Sequence, residues 1–121
     1  MISLSLFRNE NAQQLSPGQV VFQAGDEGTS MYVVTEGDVE IRIGDVVAET
    51  VTTGGIFGEM ALIDQTVRSA SAVAKTAAKV VAIDKRRFNF MVGQTPYFAL
   101  QVMSIMADRL RRANERFKRL A

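Results

Sequence analysis

Short segments rich in β-branched residues, separated by glycine-containing turns, fill the first two-thirds of this 121-residue chain. Val39–Ile43 alternates apolar and polar side chains, which is typical of a strand with one face in water. Further strand candidates of similar composition run over residues 19–23, 31–35, 46–51, 71–75 and 79–83. Because short strands at this spacing favour a small antiparallel sandwich or barrel, we predict such a fold for this region.

Two helices are predicted in the last third. Asp84 is a favoured N-cap for a helix over residues 85–92, and Gly93 is placed to end it. Thr95 can cap a second helix that starts at Pro96 and runs close to the end of the chain. With no linker between strands and helices, we expect one domain over residues 1–121, with a β region over about 16–83 and helices over about 84–120.

Composition excludes several classes of site. The chain contains no cysteine and no histidine, which removes disulfides, thiolate nucleophiles, imidazole bases and the usual zinc sites. No calcium-loop spacing, signal peptide or membrane-spanning apolar run is present, so we expect no metal, no membrane contact and a cytoplasmic location. Residues 1–67 carry 10 acidic and 2 basic side chains, whereas residues 68–121 carry 12 basic and 3 acidic ones. A solvated helix face explains this charge asymmetry better than nucleic-acid binding does, since no recognition motif accompanies the basic residues.

The segment Gly54–Ser71 supplies groups that can hold a small anion carrying a sugar hydroxyl. Peptide N–H groups at residues 58–60, at the start of a helical turn, can donate to phosphate oxygens. Arg68 can add a planar charged fork and Ser69 a further donor. Glu59 accepts hydrogen bonds and repels phosphate, so it suits the sugar end. The residues predict a nucleotide pocket.

This segment resembles the phosphate-binding cassette of the cyclic nucleotide-binding domains, a family that includes the catabolite activator protein, the regulatory subunits of cyclic AMP-dependent kinase and cyclic nucleotide-gated channels. Residues 57–62 match the family pattern Phe-Gly-Glu-(Leu/Met)-Ala-Leu, and residues 68–70 match Arg-(Ala/Ser/Thr)-Ala. Val67 stands where many relatives have proline, which removes no group that contacts ligand. The resemblance runs from about Ser16 to the last helix, and it implies a jelly-roll-like antiparallel β-barrel with flanking helices.

The resemblance also implies roles for single residues. Arg68, Ser69 and the amides of Met60 and Ala61 correspond to the phosphate site, and Gly58 and Glu59 to the ribose site. Contacts to the base are expected from the strand before the cassette, from its aromatic residue and from the last helix: Val47, Ala48, Phe57, Arg112 and Asn114. Two other interpretations stay open, because Arg68 could be a surface arginine in a turn and Glu59 a capping acid on its short helix.

The identity of the purine is left open by Ser69. Within the family, alanine at this position goes with cyclic AMP, threonine is common in cyclic GMP sensors, and serine occurs with cyclic AMP in bacteria. We therefore expect a cyclic nucleotide sensor that takes cyclic AMP, with cyclic GMP as the alternative, and no other cofactor.

Apolar residues on the last helix recur at a spacing of four and three, which is typical of a coiled-coil seam: Ala99, Met103, Met106, Leu110, Ala113, Phe117 and Leu120. A parallel homodimer through this helix is the favoured interpretation, in keeping with the catabolite activator protein. The alternative is that the stripe packs on its own barrel, although Leu100, Val102 and Ile105 could fill that role instead.

No kinase, channel or helix-turn-helix pattern follows the last helix, so we expect a sensor without its own output domain, no direct DNA binding and a possible protein partner. Two other classes remain. The first is a barrel that has lost its ligand and serves as a structural or interaction domain. The second is a small phosphodiesterase, which is disfavoured because the cassette lacks metal ligands and a base.

Overall fold

Eight strands occupy residues 13–84 of the computed structural model, which describes residues 1–7, 11–64 and 67–120. The strands are β1 (Gln13–Leu15), β2 (Val20–Phe22), β3 (Ser30–Glu36), β4 (Val39–Ile43), β5 (Val46–Val51), β6 (Ile56–Phe57), β7 (Ser71–Ala74) and β8 (Ala78–Asp84). A 3₁₀ turn spans Leu4–Phe7, and the helices are α1 (Met60–Ile63), α2 (Lys85–Gln94) and α3 (Tyr97–Leu120). Both β1 and β6 were missed by the sequence prediction because two or three residues are too few to show a period.

The strands form two four-stranded antiparallel sheets. The first has the order β1-β8-β3-β6 and the second the order β2-β7-β4-β5. The cassette enters the first sheet through β6, where Phe57 lies opposite Tyr32 of β3. The prediction of a mainly antiparallel β fold with flanking helices is confirmed.

Side chains of β3 point alternately to the two faces of the first sheet, and each face packs in a separate hydrophobic core. Val34 packs with residues of both sheets, including Val39 and Phe57, in a core between the sheets. Its neighbours Met31 and Val33 are fully buried on the other face of the same strand, in a core that contains residues of α3. The first sheet is therefore covered on both faces, which fixes the cassette relative to the helices.

Two helix ends differ from the prediction: α2 ends two residues later than predicted, and α3 begins at Tyr97 instead of Pro96. The Asp84 carboxylate accepts from the Arg87 amide at 2.8 Å, which confirms the predicted N-cap of α2. Gly93 does not end this helix; α2 continues to Gln94, and the Thr95 amide donates to Met91 O at 2.7 Å. Thr95 precedes a proline, which disfavours a helical conformation at that residue and ends the helix there.

The first turns of α3 anchor it to the first sheet. Phe98 and Val102 are buried in the core, and Ile105 and Met106 pack against it. Leu100 is 57% exposed, so the expectation that it packs on the barrel was wrong. Within the described ranges, no helix has the length and apolarity needed to cross a membrane.

Candidate functional site

A cavity of about 160 Å³ lies at the cassette, between β6, α1 and the inner face of α3. Seven of the eleven residues proposed from the sequence line it: Phe57, Gly58, Glu59, Met60, Ala61, Arg68 and Ser69. Ligand pockets are commonly about 300–1,000 Å³. In this conformation, the cavity is therefore smaller than a typical site for an organic ligand.

Arg68 is 7% exposed, and its guanidinium is held from several sides. Nη1 donates to the carbonyl of Gly58 at 2.9 Å, and Nη2 donates to the carbonyl of Ser30 at 2.7 Å. The guanidinium carbon lies 4.0 Å from the centre of the Phe22 ring, a favourable cation–π distance. Arg68 is thus a buried, oriented cation, and the interpretation of a solvent-exposed surface arginine was wrong.

The buried position changes the acidity of this cation. Burial lowers the pKa of the Arg68 guanidinium below its ordinary value, while the nearby Tyr32, Asp26 and Glu59 act in the opposite direction. Arginine nevertheless stays protonated in proteins. The cavity therefore contains a poorly hydrated positive charge, which favours an anionic ligand.

Glu59 is also 7% exposed and stands at the N-cap position of α1, where its side chain makes no capping hydrogen bond. Its carboxylate instead accepts from Arg109 Nη1 of α3. Arg109 also donates to the carbonyl of Ile56 in β6, within the cassette. Glu59, which the sequence assigns to the ribose hydroxyl, is therefore paired with Arg109 of α3.

Arginines of α3 also contact β5. Arg109 Nε lies 2.8 Å from Glu49 Oε2, and Arg112 Nη2 lies 2.8 Å from Glu49 Oε1. Arg116 donates to the carbonyl of Ala48 at 3.0 Å. The basic helix was expected to present a solvated face, and residues 111–120 are indeed exposed, although Arg109, Arg112 and Arg116 also reach polar groups of the barrel.

The four remaining base-site candidates do not line the cavity at the cassette. Ala48 and Arg112 border a neighbouring cavity of about 140 Å³ between β5 and α3. Val47 is 43% exposed on β5, and Asn114 is exposed on α3. A base held at the cassette would reach these residues only beyond the present cavity.

The sequence prediction missed Arg109, Glu49 and Phe22, all of which line the cavity. One signal was present, because Arg109 recurs with Arg112 and Arg116 at helical spacing on one face of α3. Their partners on β5 and the cassette lie about 50 or more residues earlier, and local spacing does not encode such a pairing.

Metal chemistry finds no support in the described part of the chain. Across residues 1–7, 11–64 and 67–120, no group of three or more histidine, cysteine, aspartate or glutamate side chains could hold a metal ion. The cavity offers one buried cation, Arg68, one buried carboxylate, Glu59, and the aromatic rings of Phe22 and Phe57. These groups are suited to binding an anion with hydroxyl groups.

Comparison with known proteins agrees with this chemistry. The family model for the cyclic nucleotide-binding domain matches residues 12–95. The cAMP-dependent protein kinase regulatory subunit of Schizosaccharomyces pombe is 42% identical over 77 residues, which are 63% of this chain and 19% of that protein. The chain spans about a fifth to a quarter of the length of the curated relatives it matches.

Two solved structures share the fold. The catabolite activator protein of Thermus thermophilus is 27% identical with a TM-score of 0.76, and the match covers 95% of this chain and 62% of that one. A protein of a cyclic-GMP-dependent signalling pathway that regulates bacterial phytopathogenesis is 27% identical with a TM-score of 0.68, covering 96% and 91%. The antiparallel sheets with flanking helices match the jelly-roll fold of these proteins. The chain belongs to the cyclic nucleotide-binding domain family.

Proposed function

We propose that this domain is a regulatory sensor that binds a cyclic nucleotide, with cyclic AMP as its ligand. The observation that carries the proposal is the burial of Arg68 and Glu59 in one cavity, each 7% exposed. A buried cation and a buried carboxylate together match the cyclic phosphate and the ribose hydroxyl of one small molecule.

The phosphate would bind to Arg68, to Ser69 and to the amides of Met60 and Ala61. Arg68 retains N–H groups beyond the two that bind carbonyls, because a guanidinium has five donors. Ser69 is exposed at the cavity wall and can reorient its hydroxyl toward the phosphate. The backbone turn at Gly58 has a φ of +76°, a conformation that glycine adopts without strain.

The ribose would bind beside Gly58 and Glu59, in competition with Arg109. Because the Glu59 carboxylate accepts from Arg109 in this structure, a ribose hydroxyl has to share or replace that donor. The small volume of the cavity also implies that α3 moves on binding, because the base fits only if α3 moves away from the cassette. Ligand binding would thus be coupled to the position of α3, through contacts that differ between the two states.

The base would lie between β5 and α3, where Ala48 and Arg112 border the second cavity. Phe57, Val47 and Asn114 complete the proposed base contacts. Relatives point to both purines: the S. pombe protein is named for cyclic AMP, and one structural neighbour belongs to a cyclic-GMP pathway. Ser69 is compatible with either, and the higher identity of the kinase subunit favours cyclic AMP.

The output would pass through α3. This helix exposes Met103, Leu110 and Phe117 at intervals of seven residues. Met106, which the sequence placed in the same seam, packs against the core instead. A second copy of α3 could cover this stripe, because heptad spacing of apolar residues favours pairing of helices. The proposal therefore includes a homodimer or a protein partner at this helix, and it includes no catalytic step and no direct binding to DNA.

Calorimetric titration with cyclic AMP and cyclic GMP in parallel tests the function. We expect saturable binding with one site per chain and tighter binding of cyclic AMP. Chromatography of the incubated nucleotide should show no AMP, which separates a binder from a phosphodiesterase. Absence of saturable binding to either nucleotide would favour the structural barrel.

A further inference from the structure

Gly28 lies outside the cassette, in the loop between β2 and β3, yet it determines how much space the cassette arginine has. A Cβ atom placed on Gly28 would lie 2.3 Å from Arg68 Nε, 2.4 Å from Cζ and 2.7 Å from Nη2. All three atoms belong to the guanidinium, which is the far end of a flexible side chain. Any side chain at residue 28 therefore displaces the Arg68 guanidinium before it disturbs the backbone.

The backbone of Gly28 does not itself require glycine. Six other glycines have a positive φ, among them Gly58, but the φ of Gly28 lies outside this left-handed range. The missing side chain is thus needed for space and not for backbone geometry.

The space beside Gly28 completes the set of contacts that holds the Arg68 guanidinium. We call this set, formed by Phe22, Gly28, Ser30 and Gly58, the Arg68 seat. The carbonyls of Gly58 and Ser30 fix its two terminal nitrogens at 2.9 and 2.7 Å, and the Phe22 ring lies against its face at 4.0 Å. Leaving this position would cost Arg68 both hydrogen bonds and the ring contact.

We infer that Gly28 is a positioning residue, which keeps the Arg68 guanidinium seated in the orientation that receives the anionic group of the ligand. The inference rests on the proposed function for its consequence in binding, whereas the seat itself is a property of the ligand-free protein. Because the seat orders Arg68 in advance, the ligand does not have to restrict a mobile side chain. An alanine at residue 28 removes that advantage and moves the charge.

Nuclear magnetic resonance of the ligand-free protein tests the seat without any nucleotide. The Arg68 Nε–H is buried and has no hydrogen-bond partner among the described residues, so its ¹H–¹⁵N signal should be observable and shifted by the Phe22 ring. The signal is assigned by its loss in Arg68→Lys. We expect Gly28→Ala to move or broaden it, and Gly93→Ala to leave it unchanged. Gly93 is the matched control, because it has no positive φ and nothing within 4 Å of its added Cβ. An unchanged Arg68 signal in Gly28→Ala would overturn the inference.

A double-mutant cycle then tests the consequence for binding. In calorimetry with cyclic AMP, Gly28→Ala should weaken binding about tenfold in the wild-type background and less than twofold in the Arg68→Lys background. Equal losses in both backgrounds would contradict the inference. If Gly28→Ala fails to fold, Arg68→Lys should restore the fold, and failure to do so would equally contradict it. If the wild-type protein binds neither nucleotide, the proposed function fails while the resonance experiment still decides the seat.

Discussion

The Glu59 carboxylate can accept hydrogen bonds from Arg109 or from a ligand hydroxyl, and this competition is the central feature at the scale of single residues. The carboxylate is buried and accepts a hydrogen bond from Arg109. A buried carboxylate without a partner is costly. In the proposed complex, the ribose hydroxyl would therefore have to replace Arg109 or share the Glu59 carboxylate with it.

We expect this carboxylate to discriminate cyclic AMP from its 2′-deoxy analogue. A hydrogen bond to a charged group contributes about 1.5–3 kcal/mol, so wild-type protein should bind the deoxy nucleotide about tenfold or more weakly. Glu59→Gln should weaken binding of cyclic AMP and reduce this discrimination, because the amide oxygen is a weaker acceptor.

Calorimetry with both nucleotides on both proteins measures the effect. Glu115→Gln is a control, since Glu115 lies on the exposed part of α3 and its carboxylate pairs with Lys118 of the same helix. Equal discrimination by wild-type protein and Glu59→Gln would show that the ribose hydroxyl binds elsewhere.

At the scale of elements, the contact between α3 and the barrel changes character along the helix. Its first turns bury Phe98 and Val102. Its second half is held by Arg109, Arg112 and Arg116 on β5 and the cassette. Polar contacts of this partly exposed kind are weak, so we expect the second half of α3 to be displaced from the barrel more easily than its first turns.

Glu49→Gln should loosen the second half of α3, because one carboxylate serves both Arg109 and Arg112. A partly exposed pair contributes about 0.2–1 kcal/mol. Amide hydrogen exchange of residues 109–120 should therefore accelerate by a factor of about two to five, while residues 97–105 should not change. Glu115→Gln again provides the control. Unchanged exchange throughout α3 would mean that these ion pairs do not hold the helix.

The elements show what the sequence could and could not predict. β4 and β5 have the predicted bounds, because alternation and flanking glycine turns are local signals. The end of α2 was wrong by two residues, since Pro96 limits the helix more strongly than Gly93 does. The Arg109–Glu59 pair could not be predicted, because it joins residues 50 positions apart whose proximity depends on the packing of α3.

The cassette likewise combines features that the sequence could predict with contacts that it could not. The chemistry of Glu59 and Arg68, together with the resemblance of their segment to the family pattern, indicated a common pocket. The seat of Arg68 depends on Gly28, Ser30 and Phe22 from a different loop and two strands. These contacts are set by the pairing of the sheets, which sequence spacing alone does not specify.

At the scale of the whole molecule, the uneven charge of the chain is partly neutralised inside it. The acidic first half supplies Glu49 and Glu59, and the basic last helix supplies their arginine partners. Part of the charge asymmetry is therefore accounted for by ion pairs between the helix and the barrel.

The proposed dimer gives a prediction at this scale. Leu110 is 63% exposed in the middle of the stripe that includes Met103 and Phe117. Leu110→Glu would place a charge in the paired seam, so we expect the mass from light scattering to fall from that of two chains to that of one. Arg119→Glu, which alters an exposed residue outside the stripe, should leave the mass unchanged. A wild-type mass of one chain at every concentration would contradict the dimer.

Titration of cyclic AMP into the wild-type protein and the Arg68→Ala variant tests the central claim most directly. Loss of the buried guanidinium should weaken binding about ten- to hundredfold, because a charge-assisted contact contributes about 1.5–3 kcal/mol. Arg111→Ala is the matched control, since Arg111 is an exposed arginine paired with Asp108 within α3, and it should bind as wild type does. Wild-type affinity in Arg68→Ala would contradict the assignment of this cavity as the cyclic nucleotide site.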